Sequence, residues 1–349
     1  MRGKRKDEHI NIAVHSKDGP NTSGFEEIYL VHNSIPELDM DEIDLSCCFL
    51  EKKLNLPVIL NAITGGTERA KEINRDLAYI ARKYNLAMAV GSQTISIDEP
   101  QLKSTFSVVR EINPEGIIVA NVGANRSIQD VLKAVEMIKA DAVQLHFNVP
   151  QELAMPEGDR CFKGIIENVA YIIENCPVPV IAKEVGFGFS KESASLLYQA
   201  GVRIIDIGGM GGTNFIVIED KRGGLFNREL DSWGISTACS LSEVLSLDLP
   251  ITVIASGGIR TAADTAKALA MGADLVGIAG SFLKILLYKG AEELDQKIEE
   301  MIYRLKSVFL MTGSRNIDEI RQKPVLITGK TGEWLKLRGI DPSYWSQRL

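Results

Sequence analysis

One unit recurs eight times between residues 57 and 278: a short apolar run, a break rich in Gly, Asn or Ser, and then about 10–15 residues with helical spacing. The runs fall at 57–62, 86–91, 117–122, 142–147, 178–183, 204–207, 252–256 and 275–278, and are built largely from Val, Ile, Leu and Ala. Runs apolar on both faces are what parallel strands require when helices cover one side and a filled barrel interior takes the other. Eight of them in strict alternation with helices predict a closed α/β barrel, the single (β/α)8 or TIM-barrel architecture. A doubly wound sheet would open on a GxGxxG turn after its first strand. That position here reads Asn61-Ala62-Ile63-Thr64-Gly65-Gly66.

No linker interrupts the pattern, so one domain is expected over 1–349: an N-terminal extension at 1–50, a barrel core at 55–290, and a C-terminal helix and tail at 291–349. The extension must either plug the bottom of the barrel or fold over its mouth. The connection after the sixth strand, 208–232, is long, charged and Gly-containing, which predicts either a lid or a disordered loop. Residues 292–310 read as a long amphipathic helix stopped by Gly313.

With 45% hydrophobic and 24% charged residues, the 349-residue chain has the make-up of a folded globular enzyme. A net charge of -7 and a pI near 5.4 lack the positive field that nucleic acid requires, which leaves small molecules as partners. Five cysteines without zinc-like spacing predict free thiols in a reducing compartment. No apolar run approaches a membrane span, and the basic start, Arg2-Gly3-Lys4-Arg5-Lys6, leads into Asp7-Glu8-His9 rather than a signal region. The expectation is a cytoplasmic protein.

In a barrel of this kind the strand ends and the loops that follow them make the active site. Here those ends carry Asn61, Thr64, Ser92, Gln93, Asn121, His146, Asn148, Lys183, Glu184, Thr213 and Ser256. Ser256-Gly257-Gly258 and Ala279-Gly280-Ser281 each place glycine directly before a helix, the pattern of a phosphate cradle. Lys183 ends an apolar strand and must find a partner, either an electron-rich ring or developing anion, or else Glu184. Asn121 and Ser92 suit the edge of a heterocycle, or alternatively cap their strands. Residues 208–213 serve a phosphate or a hinge. Glu152, in the loop after the fourth strand, could share Mg2+ with phosphates or sit at the surface.

Together the segments Arg5 to His9, Asn61 to Gly66, Gly91-Ser92-Gln93, Gln144 to Asn148, Gln151-Glu152, Pro156 to Arg160, Lys183 to Gly186, Asp206 to Thr213 and Ala255 to Arg260 resemble the type 2, flavin-dependent isopentenyl diphosphate isomerases over nearly the whole chain. The resemblance implies FMN held by Ala62, Ile63, Thr64, Ser92, Asn121, Lys183, Thr213, Gly257, Gly258, Ala279 and Gly280. It also implies an allylic diphosphate held by Arg5 and Lys6, with His9, Ser92, Gln93, His146 and Gln151 lining its pocket, and Mg2+ on Glu152. The implied reaction moves a C=C bond with reduced FMN as the main acid/base group, His146 and Gln151 assisting, and NADPH serving only to reduce the flavin. A homo-oligomer, tetramer or octamer, is implied as well. Two positions depart from the family pattern: Ile63 stands in place of Met, a volume-conserving change, and Thr94 in place of a frequent Arg.

Neighbouring chemistries fit less well. A 2-hydroxy-acid oxidase would need a histidine base beside an arginine after a late strand, but the histidines are only His9, His15, His32 and His146. An IMP-dehydrogenase-like reaction would need a cysteine in the loop after the sixth strand, and Gly208 to Phe215 has none. A barrel without catalysis would have no use for Arg5 and Lys6.

Overall fold

The computed structural model describes residues 2–15 and 20–348, the side chains of residues 2–5 and 7 excepted. Eight parallel strands close on themselves: β1 Val58–Leu60, β2 Ala87–Ala89, β3 Ile118–Gly123, β4 Ala142–Phe147, β5 Val180–Glu184, β6 Ile204–Asp206, β7 Thr252–Ser256 and β8 Leu275–Ile278. The ring is sealed where β8 meets β1, with Val276 opposite Val58 and Ile278 opposite Leu60. All eight expected strands are present. Several end earlier than their apolar runs because the Gly- and Asn-bearing residues leave the ladder to build the mouth.

Side chains alternate along each strand, so one set faces the helices and the other fills the barrel. The inward set is apolar at the bottom, where Ile59, Val119, Ala142, Ile181, Ile204, Ile254 and Leu275 pack as one cluster. Two residues further along, the same inward positions become Asn61, Asn121, Gln144, Lys183, Asp206 and Ser256, all buried. The interior is therefore an apolar floor carrying a polar storey, and the change comes within a single side-chain repeat.

The extension does both of the things expected of it as alternatives. Its hairpin Cys47–Phe49 and Lys52–Leu54 turns through Leu50 and Glu51, both at positive φ, as a two-residue hairpin turn demands. Phe49 and Leu54 from this hairpin join the apolar floor and plug the bottom. The helix Arg2–His15 lies at the other end, against the helices Phe215–Lys221 and Gly280–Lys289.

The connection after β6 is not the disordered loop its composition allows. It contains the helix Phe215–Lys221, started by the Asn214 side chain accepting from the Val217 N–H at 3.2 Å. The Asp220 carboxylate then accepts from the N–H groups of Phe226 and Arg228 and folds the following turn back. The long C-terminal helix runs Ala291–Thr312 and ends with Gly313 at φ 63, as its sequence predicts. Beyond it, Val325–Ile327 pairs antiparallel with Ile28–Leu30, joining tail to extension.

Candidate active site

A cavity of about 900 Å3 opens at the C-terminal mouth of the barrel. It is lined by every residue expected to hold the flavin and by Lys6, His9, Ser92, His146, Gln151 and Glu152. Two expected residues stand apart. The side chain of Arg5 lies outside the described residues. Gln93 is fully buried and turned away: its amide donates to Ala134 O at 2.9 Å and accepts the Asn121 N–H at 3.0 Å. Ser92 takes the position facing the mouth, so its neighbour must face the wall, where Gln93 fixes the main chain of Asn121. Gln93 is thus corrected from a pocket residue to a wall residue.

The glycines at one side of the cavity are required by packing. Gly257 sits at φ 108, and a Cβ there would lie 2.0 Å from the Gly209 carbonyl oxygen; at Gly258 it would lie 2.3 Å from that of Gly211. Arg260 ties the two turns together from outside, donating to Gly258 O and Gly211 O. Facing them, the helix Gly280–Lys289 begins without a side-chain cap, and Ser281 Oγ is buried with no partner among the described residues. Uncapped N–H groups, an orphaned hydroxyl and close-packed glycine backbone together fit a phosphate group.

The polar storey forms the inner wall. Lys183 Nζ meets Asp206 Oδ2 at 3.1 Å, and Asp206, wholly buried, also accepts from Asn61 Nδ2 at 2.6 Å, from Ser256 Oγ and from the Gly208 N–H. The Glu184 side chain is not the partner of Lys183, which reaches only that residue's main-chain oxygen, at 3.1 Å. Its carboxylate points the other way and gathers the N–H groups of Gly186, Phe187 and Gly188. Burial pushes the Glu184 carboxyl up to about 7 against the pull of those three N–H groups and of Lys183. From Asn61 the contacts continue through Gln144 and Asn121 to His146 Nδ1. Burial, reinforced by the charges of Lys6 and Lys183, lowers the His146 pKa to about 4, so its ring is neutral near pH 7.

A second cluster closes the front. Glu219, on the helix in the connection after β6, is almost fully buried and holds His9 Nε2 at 2.9 Å, Gln151 Nε2 at 3.0 Å and the Arg222 guanidinium. Burial works to raise the Glu219 carboxyl, but His9, Gln151 and Arg222 outweigh it and hold it below the ordinary range. Arg222 also reaches Glu8 at 3.2 Å, and Lys6 Nζ donates to Ser92 O at 2.5 Å, so the N-terminal helix is fastened over the mouth at three points. Glu152 accepts from Asn148 Nδ2 and from the Asp159 N–H, with its carboxylate at the cavity edge. Among the described residues no group of three or more His, Cys, Asp or Glu side chains forms a metal cage.

Asp206, Gln144, Glu219 and Arg222 carry no role in the sequence reading. Asp206 and Gln144 share the inward set of strand positions with Lys183 and His146, which is a signal the sequence does contain. Glu219 was concealed by treating 208–232 as irregular.

Residues 144–327 match the FMN-dependent dehydrogenase family. The chain is 49% identical to an isopentenyl-diphosphate delta-isomerase of Moorella thermoacetica, over 97% of each chain. It is 45% identical to another of that name from Symbiobacterium thermophilum, over 98% of this chain and 97% of that one. Among solved structures, a mandelate oxidase variant with a monooxide FMN adduct superposes with a TM-score of 0.67 over 92% of each chain at 16% identity, a likeness of fold alone. No helix among the described residues is long and apolar enough to cross a membrane.

Proposed function

This chain belongs to the isopentenyl-diphosphate delta-isomerases and carries their FMN-dependent type of barrel, so it is an isomerase, and on that premise we propose how its residues divide the work. The observation that carries the reading is the meeting of two differently built ends in one cavity. A glycine and helix-start cradle beside Lys183 suits FMN, and a basic N-terminal helix bearing Lys6 and His9 faces it over Glu152.

Isomerisation adds a proton at the terminal alkene carbon and removes one from the carbon two bonds away, with no net change in electrons. Reduced FMN, when bound, supplies acid/base chemistry at its N5 edge without net redox, and NADPH supplies the reducing equivalents that bring it to that state. Gly257, Gly258, Gly280 and Ser281 hold the FMN phosphate at helix starts. Lys183 places a cation, and Asn121 and Ser92 place hydrogen-bonding groups, at the edge of the ring system. Arg5, Lys6, His9 and Ser92 bind the diphosphate, and that remote binding orients the small hydrocarbon end. One carboxylate with phosphate oxygens and water is a sufficient set for Mg2+, and Glu152 provides it. Gln151, aimed by Glu219, and neutral His146 face the reacting end, and the fastened N-terminal helix keeps water out.

Exposed apolar side chains on the small sheet support a homo-oligomer: Tyr29, its register partner Leu326, and Val31 next along the chain. We place the protein in the cytoplasm on its acidic composition and free thiols. The test is anaerobic proton NMR in D2O with FMN, Mg2+, isopentenyl diphosphate and enough NADPH to reduce the flavin. Conversion to the dimethylallyl isomer with deuterium uptake, absent while the flavin stays oxidised, is the expected result. No conversion would refute the substrate assignment and leave the flavin barrel standing.

A further inference from the structure

Four hydrogen bonds cross the barrel in single file. Asp206 Oδ2 takes Asn61 Nδ2 at 2.6 Å; Asn61 Oδ1 takes Gln144 Nε2 at 3.0 Å; Gln144 Oε1 takes Asn121 Nδ2 at 3.1 Å; Asn121 Oδ1 meets His146 Nδ1 at 2.7 Å. We propose that Asp206, Asn61 and Gln144 are positioning residues that act through Asn121 to hold the proton of His146 on Nδ1, leaving Nε2 as the only ring atom that exchanges a proton with whatever fills the cavity.

The reasoning starts at the anchored end. An ionised carboxylate only accepts hydrogen bonds, and Asp206 is the buried counter-ion of Lys183. The amide of Asn61 must therefore show it NH2, since the opposite orientation would set two acceptors 2.6 Å apart. The Ala62 N–H, donating to Asn61 Oδ1 at 2.9 Å, fixes the same orientation independently. With Asn61 Oδ1 facing Gln144, that residue must donate with its nitrogen and accept with its oxygen, and Asn121 must do the same. The oxygen of Asn121 is then what His146 meets, so Nδ1 carries the hydrogen. Reversing Asn61 or Gln144 puts oxygen against oxygen and NH2 against NH2 on its two sides, and reversing Asn121 sets its oxygen against Gln144 Oε1. Because every member except His146 is nearly fully buried, water cannot repair such a fault.

The main chain holds the last amide in register. Gln93 binds Asn121 twice, its N–H donating to Asn121 O at 2.8 Å and its side-chain oxygen accepting the Asn121 N–H. Gln93, expected to touch substrate, serves this alignment instead.

The consequence for turnover rests on the assignment of His146 to the substrate pocket, but the tautomer itself does not, so the test reads the tautomer directly. The FMN-loaded enzyme, labelled with 15N-histidine and without substrate at pH 8, should show His146 with a protonated Nδ1 and an unprotonated Nε2, its signals assigned by their loss in His146→Gln. Gln144→Leu removes both inner links and frees Asn121 to turn, and His146 should then lose the single Nδ1–H form. Gln144→Glu keeps an acceptor for Asn121 Nδ2, whether or not it carries a proton toward Asn61, and should keep the wild-type tautomer. In the same pair kcat should fall on the order of ten- to a hundredfold for Leu and less for Glu, with KM for the diphosphate nearly unchanged. A wild-type Nε2–H form, or an unaltered tautomer in folded Gln144→Leu, or a lost one in Gln144→Glu, would overturn the proposal even if isomerase turnover is confirmed. Should Gln144→Leu not fold, the wild-type and Gln144→Glu spectra decide alone.

Discussion

Replacing Lys183 with Met keeps the length and most of the volume of the side chain while deleting its charge, which makes it the sharpest probe of the inner wall. Two effects separate. In the protein without flavin, Asp206 loses its counter-ion but keeps the donors of Asn61, Ser256 and Gly208. Breaking a buried pair from one side costs about 3–5 kcal/mol when the remaining charge is left uncompensated. Three surviving donors place the expected loss at the lower end, roughly 3 kcal/mol, read from urea unfolding at pH 7. For the flavin, a lost charge-assisted hydrogen bond is worth about 1.5–3 kcal/mol, which corresponds to a Kd weaker by roughly ten- to a hundredfold. The assay is titration of the apoprotein with oxidised FMN, followed by quenching of flavin fluorescence, alongside a melting curve showing that the variant is folded. A folded Lys183→Met variant with unchanged FMN affinity would remove Lys183 from the proposed cofactor wall.

Gly257→Ala should abolish FMN retention and lower the melting temperature, because its Cβ would sit 2.0 Å from the Gly209 carbonyl oxygen at φ 108; a flavin-replete variant of normal stability would refute the cradle. Arg5→Ala should raise KM for the diphosphate about tenfold or more without altering FMN binding, and an unchanged KM would return the basic terminus to ordinary surface. The folded-state pKa of His146 lies below its unfolded value, so between pH 6.5 and about 4 the unfolded chain takes up a proton that the folded one refuses. Stability should therefore fall as pH drops through that window, by at most roughly 3 kcal/mol from this group, and His146→Gln should flatten that part of the stability curve.

What could be read in advance follows the reach of each signal. The eight strands were legible because an apolar run between helical stretches depends on local spacing alone. That strand-end residues line one cavity was legible for the same reason. Gln93 was misplaced because adjacent residues at a strand end face opposite ways, and residue type does not say which of Ser92 and Gln93 takes the mouth. For Lys183 the sequence offered a ring or developing anion, or else Glu184, and did not reveal Asp206, which the barrel supplies from the neighbouring strand, 23 positions away by their numbers. Glu219 was missed because charge and glycine in 208–232 argued for irregular backbone; the Asn214 cap that starts its helix was the contrary signal.

The fastening of the N-terminal helix also sets an order of events during synthesis. Its docking surface, the helix Gly280–Lys289, is encoded about 270 residues after it, which at typical elongation rates is on the order of tens of seconds later. The barrel cannot close until β8 has been made, and the clamp cannot seat until the barrel has closed. The basic segment therefore emerges early and is installed late, so the mouth of the cavity is covered only on a chain whose barrel has already closed.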